Sequence, residues 1–147
     1  MEKIFTFIMN KEKELLLLEG SPNDPQYHKS FWYVVTGGKE DYDKNLEETV
    51  KREIKEETNL DTVKIKYLNW IFKYNSLDKE CTEYVFISLV NDNTIILNEE
   101  HINYKWCKID EFIDKIEWYG DKKELQDVIK KAIDWKVFFK TEKTAIY

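Results

Sequence analysis

The chain has 147 residues, a length typical of one domain, and we expect residues 1–147 to form a single domain. With 42% hydrophobic and 15% aromatic residues it can fill a core, unlike a disordered chain. The net charge of -6 argues against a protein that binds a nucleic-acid polymer, which would need a basic surface. A small phosphorylated substrate remains compatible with this charge, because a bound divalent cation can reverse the local sign.

Cys81 and Cys107 lie in separate apolar stretches without metal-type spacing, and we expect two reduced thiols in the core. The two histidines, His28 and His101, are too few to form a zinc site with them. The N-terminal segment lacks the pattern of a signal peptide, and no apolar run approaches the roughly 20 residues of a membrane span. We therefore expect a cytoplasmic protein without a membrane partner. The oligomeric state stays open.

The first part of the chain predicts strands. Residues 4–9 and 15–18 are apolar runs separated by a charged turn, and the polar residues 20–29, with Pro22 and Pro25, predict a loop. Residues 31–36 are aromatic and β-branched, so they predict a third strand, followed by a sharp turn at Gly37 and Gly38.

A helix is predicted next. Asn45 has the side chain of an N-cap, and Glu48 stands three residues later, as in a capping box. The helix should run to about Thr58. Asn59 then stands where a left-handed residue ends a helix.

The second half predicts five strands and two helices. Strand-like segments cover residues 63–67, 70–74, 84–90, 94–97 and 104–108. A short helix should follow Asp110, and a longer one should begin at Asp121 with Glu124 in its first turn. This order of strands, helix, strands and helices predicts an α/β (α+β) domain with a mixed sheet covered by helices.

The predicted central helix changes character along one face. At about 100° per residue, Leu46, Val50 and Ile54 share a face that should point into the protein. Glu53 and Glu57 fall in the middle of that same face, and the neighbouring Glu56 lies beside it. Glu47, Glu48, Lys51 and Lys55 fall on the outer face.

Three carboxylates thus converge at the C-terminal end of the helix, where the helix dipole disfavours anions. A bound cation would compensate, and hard oxygen ligands suit Mg²⁺ or Mn²⁺. The alternative is a solvated acidic helix end paired with Lys51, Arg52 or Lys55, which is the usual meaning of such a run.

The flanking residues favour the metal site. Gly38, five residues, Lys44, seven residues and then the run Arg52-Glu53-Ile54-Lys55-Glu56-Glu57-Thr58-Asn59-Leu60 together resemble the Nudix box, the signature of the Nudix hydrolases. Two positions depart from that pattern. Lys44 stands in place of a Glu that usually supports the loop, and Asn59 stands in place of Gly, whose left-handed conformation Asn tolerates.

The resemblance implies the Nudix fold, a mixed β-sheet sandwiched between helices, and hydrolysis of a phosphoanhydride bond in a nucleotide-like substrate. It implies that Glu53, Glu56 and Glu57 bind Mg²⁺, with Mn²⁺ as an alternative. Arg52 would orient these ligands through charge-assisted hydrogen bonds. Gly37 and Gly38 would shape the loop and bring backbone N–H groups towards phosphate.

A narrower resemblance lies further along the chain. Residues 31–37, and Glu100-His101-Ile102-Asn103-Tyr104-Lys105-Trp106, look like elements of bacterial dihydroneopterin triphosphate diphosphatases. There the equivalent of Glu100 reaches the metal from a loop, so Glu100 is a candidate ligand. The candidates for the base that deprotonates water are Glu53, Glu56, Glu57 and Glu100, of which Glu53 and Glu100 rank first. A surface Glu beside a structural Tyr and Trp is the alternative.

Residues for substrate binding are less well defined. Trp32, Tyr104 and Phe72 offer rings that could stack on a base or pterin, or could simply fill the core. Lys39 and Lys73 could contact phosphates. A nucleoside or pterin triphosphate is the leading substrate. A dinucleoside polyphosphate or nucleotide-sugar hydrolase, a non-catalytic ligand sensor and isomerase chemistry are the alternatives.

Overall fold

A computed structural model describes residues 1–20 and 31–134. Within these ranges the chain forms seven strands and three helices. In chain order they are β1 (Glu2–Met9), β2 (Leu15–Gly20), β3 (Trp32–Tyr33), β4 (Val35–Gly38), α1 (Leu46–Thr58), β5 (Thr62–Ser76), β6 (Lys79–Val90), β7 (His101–Cys107), α2 (Ile109–Lys115) and α3 (Lys122–Ala132).

The sheet is mixed. β1 pairs in parallel with β6, whereas β6 and β5 form a long antiparallel hairpin. On its other side β1 pairs with β4 and, at Met9, with β2. β2 in turn pairs with β3 and with β7, so the C-terminal part of the chain returns to the N-terminal hairpin. This last pairing places His101, at the start of β7, opposite Gly20 at the end of β2.

Each face of the sheet buries its own apolar cluster. Alternating side chains of β2 show the division, because Leu16 and Leu18 pack on the α1 side with Val50 and Ile54. The intervening β2 leucines pack on the opposite side, where α2 and α3 supply Phe112 and other apolar residues. The predicted mixed sheet between helices is therefore confirmed.

Several predicted boundaries needed correction. The third strand is interrupted at Val34, and its halves β3 and β4 pair with different neighbours. The two predicted strands at 63–67 and 70–74 are one strand, β5, whose register shifts between Tyr67 and Ile71 around the left-handed Asn69. The predicted strand at 94–97 does not form, and the Ile96 N–H donates to the Thr58 carbonyl at the end of α1.

The predicted turn at Gly37 and Gly38 is also wrong. Both residues lie in β4, opposite Ile4 and Lys3, and neither has a positive φ. Gly20 ends β2, while the rest of the predicted loop, with Pro22, Pro25 and His28, lies outside the described residues.

The ends of α1 follow the prediction closely. The Asn45 side chain accepts from the Glu48 N–H at 3.0 Å, and Glu48 in turn accepts from the Lys44 N–H at 2.9 Å. Asn59 adopts the left-handed conformation, with φ of 63°, and its N–H donates to the Lys55 carbonyl. Local sequence therefore fixes both ends of the helix that carries the glutamates.

Both cysteines are free and buried, as expected. No helix in residues 1–20 and 31–134 is both long and apolar enough to cross a membrane.

Candidate active site

Helix α1 turns its acidic end towards the protein. Val50 and Ile54 are fully buried, and Glu57, one turn beyond, is only 4% exposed. The Glu53 side chain is 14% exposed, and Glu56 lies at the rim with 53% exposure. The inward phase computed from the sequence therefore matches the burial of Glu53 and Glu57.

The start of β7 meets this end of α1. Glu57, Glu100 and His101 each offer a ligand atom, and these atoms lie within 4.8 Å of one another. His101 Nε2 lies 3.6 Å from a carboxylate oxygen of Glu57. Its Nδ1 is buried and has no hydrogen-bond partner among the described residues. The pairing of β7 with β2 places these groups beside the helix, because Gly20 of β2 lies opposite His101.

Arg52 lies between the loop at residues 39–45, which joins β4 to α1, and the carboxylates of Glu53 and Glu56. Its Nε and Nη2 donate to the two carboxylate oxygens of Asp43, at 3.1 and 2.8 Å, and Nη2 also donates to the Gly38 carbonyl at 2.9 Å. Its Nη1 donates to Glu53 at 2.8 Å, with longer contacts to Glu56 at 3.4 and 3.5 Å. One guanidinium thus joins the loop, β4 and two of the carboxylates.

Gly37 leaves room for Glu53. A Cβ atom at Gly37 would overlap the carboxyl group of Glu53, whereas a Cβ at Gly38 would only reach ordinary contact distance, 3.8 Å, from the Met1 sulfur. Gly37 therefore leaves space for the Glu53 carboxyl group against β4, and a larger residue there would displace that group; the backbone conformation of Gly37 does not call for glycine.

The carboxylates of Glu53, Glu57 and Glu100 repel one another, and Glu53 and Glu57 are largely shielded from solvent. Burial, followed by the charges of Glu100 and Glu53, raises the pKa of Glu57 to about 10. Burial also raises the pKa of Glu53, while Glu57 and Arg52 act in the opposite direction. Burial lowers the pKa of His101, which favours the neutral ring. Without a cation, burial and the neighbouring carboxylates therefore favour the protonated form of Glu57 at neutral pH.

The donor set fits a divalent cation. Glu57 and Glu100 supply hard oxygen donors and His101 a ring nitrogen, and Glu53, which shares a hydrogen bond with Glu57, adds a further carboxylate. A cation among them would offset the repulsion that raises the pKa of Glu57.

Comparison with known proteins places the chain in a family. The family profile of the NUDIX domain matches residues 2–128. This chain belongs to the Nudix family. No curated protein matches the sequence.

Solved Nudix structures share the fold over most of their length. A NUDIX hydrolase of Listeria monocytogenes has 25% identity and a TM-score of 0.68, over 90% of this chain and 97% of that one. The dihydroneopterin triphosphate pyrophosphohydrolase of E. coli has 20% identity and a TM-score of 0.67, over 90% and 94%. The Ap4A hydrolase of C. elegans has 20% identity and a TM-score of 0.65, over 88% and 92%.

The candidate substrate residues of this Nudix domain are dispersed. Tyr104 is 38% exposed and lies opposite Leu18, so it lies on the α1 side of the sheet. Trp32 and Phe72 pack against the cluster on the opposite side. Lys39 lines a cavity of about 480 Å³ beside the first turn of α1, and none of the four candidate glutamates lines it.

Sequence reasoning missed two residues near the glutamates. His101 stands next to Glu100 in the sequence, and that adjacency is the signal that indicates it. Asp43 had no signal of its own, because it precedes the Nudix-box position, Lys44, at which a carboxylate is expected.

Proposed function

We propose that this chain hydrolyses a phosphoanhydride bond of a nucleoside or pterin triphosphate-type substrate with the help of Mg²⁺, for which Mn²⁺ could substitute, and releases pyrophosphate or phosphate. The observation that carries the proposal is the approach of the Glu100 carboxylate to the buried Glu57. Two chain segments more than 40 residues apart converge there, at the acidic end of a Nudix-box helix.

Glu53, Glu56, Glu57 and Glu100 are the proposed ligands. When bound, the cation would neutralise charge on the phosphate and lower the pKa of the attacking water. Glu56 is 53% exposed, and this exposure supports a role at the solvent side of the proposed site. Arg52 would hold Glu53 in a fixed orientation through the hydrogen bond from Nη1.

A carboxylate must accept the proton from the attacking water. As the water oxygen bonds to phosphorus, the bridging P–O bond breaks and the released phosphate or pyrophosphate leaves. Glu53 and Glu100 are the two candidates for this base. Arg52 donates a hydrogen bond to Glu53 and thereby favours its ionised form. Glu100 is an exposed residue in the turn that precedes β7.

Substrate contacts are proposed at one edge of the site. Gly37 borders the Glu53 carboxylate, the Gly38 carbonyl accepts from Arg52, and Tyr104 offers an exposed ring on the same side of the sheet as α1. Lys39 would reach phosphate only from its separate cavity, and Trp32 would contact a ring from the opposite face. Tyr104 is therefore the best-supported of the ring-binding candidates.

The test is a substrate panel with product identification. The protein is incubated with Mg²⁺ and, separately, nucleoside triphosphates, dihydroneopterin triphosphate, diadenosine polyphosphates and ADP-ribose. Products are identified by phosphorus NMR, and the reaction is repeated in ¹⁸O-labelled water to show which phosphorus is attacked. We expect turnover of a triphosphate, and loss of turnover in EDTA.

Variants link the activity to the site. Glu57→Gln and Glu56→Gln should abolish turnover while the protein stays folded, and Glu100→Gln should reduce it strongly. Glu99→Gln is the matched control, because Glu99 is the exposed neighbour of Glu100 in the same turn. Wild-type turnover by Glu57→Gln would reject the proposed site. Ligand binding without turnover across the whole panel would favour a sensor.

We also propose that the protein works in the cytoplasm. The two free, buried thiols, Cys81 and Cys107, support this location, because disulfides are uncommon in reducing compartments.

A further inference from the structure

The loop ahead of α1 differs from the Nudix box at a single charged position. Lys44 stands where the box has Glu, and its side chain is exposed. Its backbone N–H donates a hydrogen bond to the Glu48 carboxylate. The carboxylate that the box would supply at this position must therefore come from elsewhere or be absent.

The preceding residue supplies a buried carboxylate. The Asp43 side chain is only 4% exposed, and Arg52 donates to both of its oxygens. Two further donors fix the same carboxylate, the Thr49 hydroxyl and the Glu40 N–H, each at 2.9 Å. Asp43 thus joins the loop, the first turn of α1 and the guanidinium, and its charge is matched by that of Arg52.

This contact determines where Arg52 points its remaining donors. A guanidinium is planar, so fixing Nε and Nη2 also fixes the direction of Nη1. Nη1 is the atom that donates to Glu53 and lies near Glu56. Without Asp43, the Nε and Nη2 edge of the guanidinium would lose its partner. The long Arg52 side chain could then rotate and pair more fully with Glu53 and Glu56, and it would compete with a cation for these carboxylates.

We propose that Asp43 replaces the carboxylate that the Nudix box has at position 44, and that it positions Glu53 and Glu56 through Arg52. The inference rests on the proposed function, because its consequence is tighter binding of the cation. Asp43 contacts neither the proposed ligand site nor the substrate, and its role is therefore that of a positioning residue.

The first test measures metal binding directly. Mn²⁺ is titrated into the wild-type protein and Asp43→Asn, and free Mn²⁺ is followed by electron paramagnetic resonance. We expect the affinity of Asp43→Asn to fall by about 10- to 100-fold, the range found for residues that orient metal ligands. The Mg²⁺ concentration for half-maximal turnover should rise in parallel, and the substrate KM at saturating Mg²⁺ should change much less.

Two controls separate positioning from simple destabilisation. Asp41→Asn removes an exposed carboxylate from the same loop and should leave Mn²⁺ affinity unchanged. Ser88→Ala removes a buried hydrogen bond to Thr6 elsewhere in the sheet. It should lower the unfolding temperature but not the Mn²⁺ affinity. A loss of affinity in Ser88→Ala equal to that in Asp43→Asn would overturn the positioning role.

A rescue variant tests the replacement itself. Asp43→Asn combined with Lys44→Glu should recover most of the lost Mn²⁺ affinity, whereas Lys44→Glu alone should have little effect. Wild-type affinity in Asp43→Asn would overturn the inference, and failure of the rescue would overturn the claim that Asp43 replaces a carboxylate at position 44. If the wild-type protein binds Mn²⁺ but hydrolyses nothing, the proposed function alone fails. If it binds no Mn²⁺, both fail.

Discussion

Replacing Glu57 by Gln should stabilise the metal-free protein while removing its activity. Burial and the charges of Glu100 and Glu53 raise the pKa of Glu57 to about 10, so native protein without a cation holds a proton there at pH 7. The unfolded chain, with the ordinary value of 4.5, has released that proton. Since the native state then binds more protons, its stability falls as pH rises between these two values.

The size of the effect follows from the pH interval. Each pH unit between 4.5 and 7 lowers the free energy of unfolding by ~1.4 kcal/mol, so the upper limit of the loss at pH 7 is about 3.5 kcal/mol. The hydrogen bond between Glu57 and Glu53 adds to the raised pKa of Glu57. We expect Glu57→Gln to raise the free energy of unfolding by about 1–3 kcal/mol, or the melting temperature by roughly 2–10 °C.

Thermal unfolding in EDTA measures this effect. Wild type, Glu57→Gln and Glu56→Gln are melted at pH 5, 7 and 9 and followed by circular dichroism. The melting-temperature gap between Glu57→Gln and wild type should widen with pH. Glu56→Gln is the control on the same helix, because its side chain is 53% exposed, and it should melt close to wild type. A Glu57→Gln variant that melts below wild type at pH 9 would refute the reasoning.

Three other expectations can be checked with similar assays. Mg²⁺ or Mn²⁺ should raise the melting temperature of wild type more than that of Glu57→Gln, because the variant lacks a ligand. Gly37→Ala should reduce turnover strongly, since its Cβ would overlap Glu53, whereas Gly38→Ala should retain it; equal activity of the two variants would contradict this. Asn59→Ala should destabilise the protein, and Asn59→Gly should not, because only the first strains the left-handed backbone; urea unfolding would distinguish them.

The sequence predicts α1 almost completely. Its caps, its buried stripe and the inward phase of Glu53 and Glu57 all follow from residues within a few positions of one another, because a helix is a local structure with a fixed period. The alternation of strands and helices likewise predicts a mixed sheet between helices. The prediction of a strand at 94–97 is wrong. A run of four β-prone residues does not indicate whether a neighbouring strand is available to pair with it.

Only the tertiary structure decides which distant groups join the helix. The pairing of β7 with β2 places Glu100 and His101 beside Glu57, and no local pattern encodes that register. Gly37 leaves space for Glu53 against β4, whereas the sequence alone predicts a turn at that position.

The residue pattern by itself thus determined the acidic helix and its family resemblance, since both depend on spacing along the chain. The fold decided that the buried carboxylate behind Arg52 is Asp43, one position before the one that the motif indicates. The burial of the Asp43 side chain and its contact with Arg52 depend on how the loop packs against α1, and spacing along the sequence does not encode that packing.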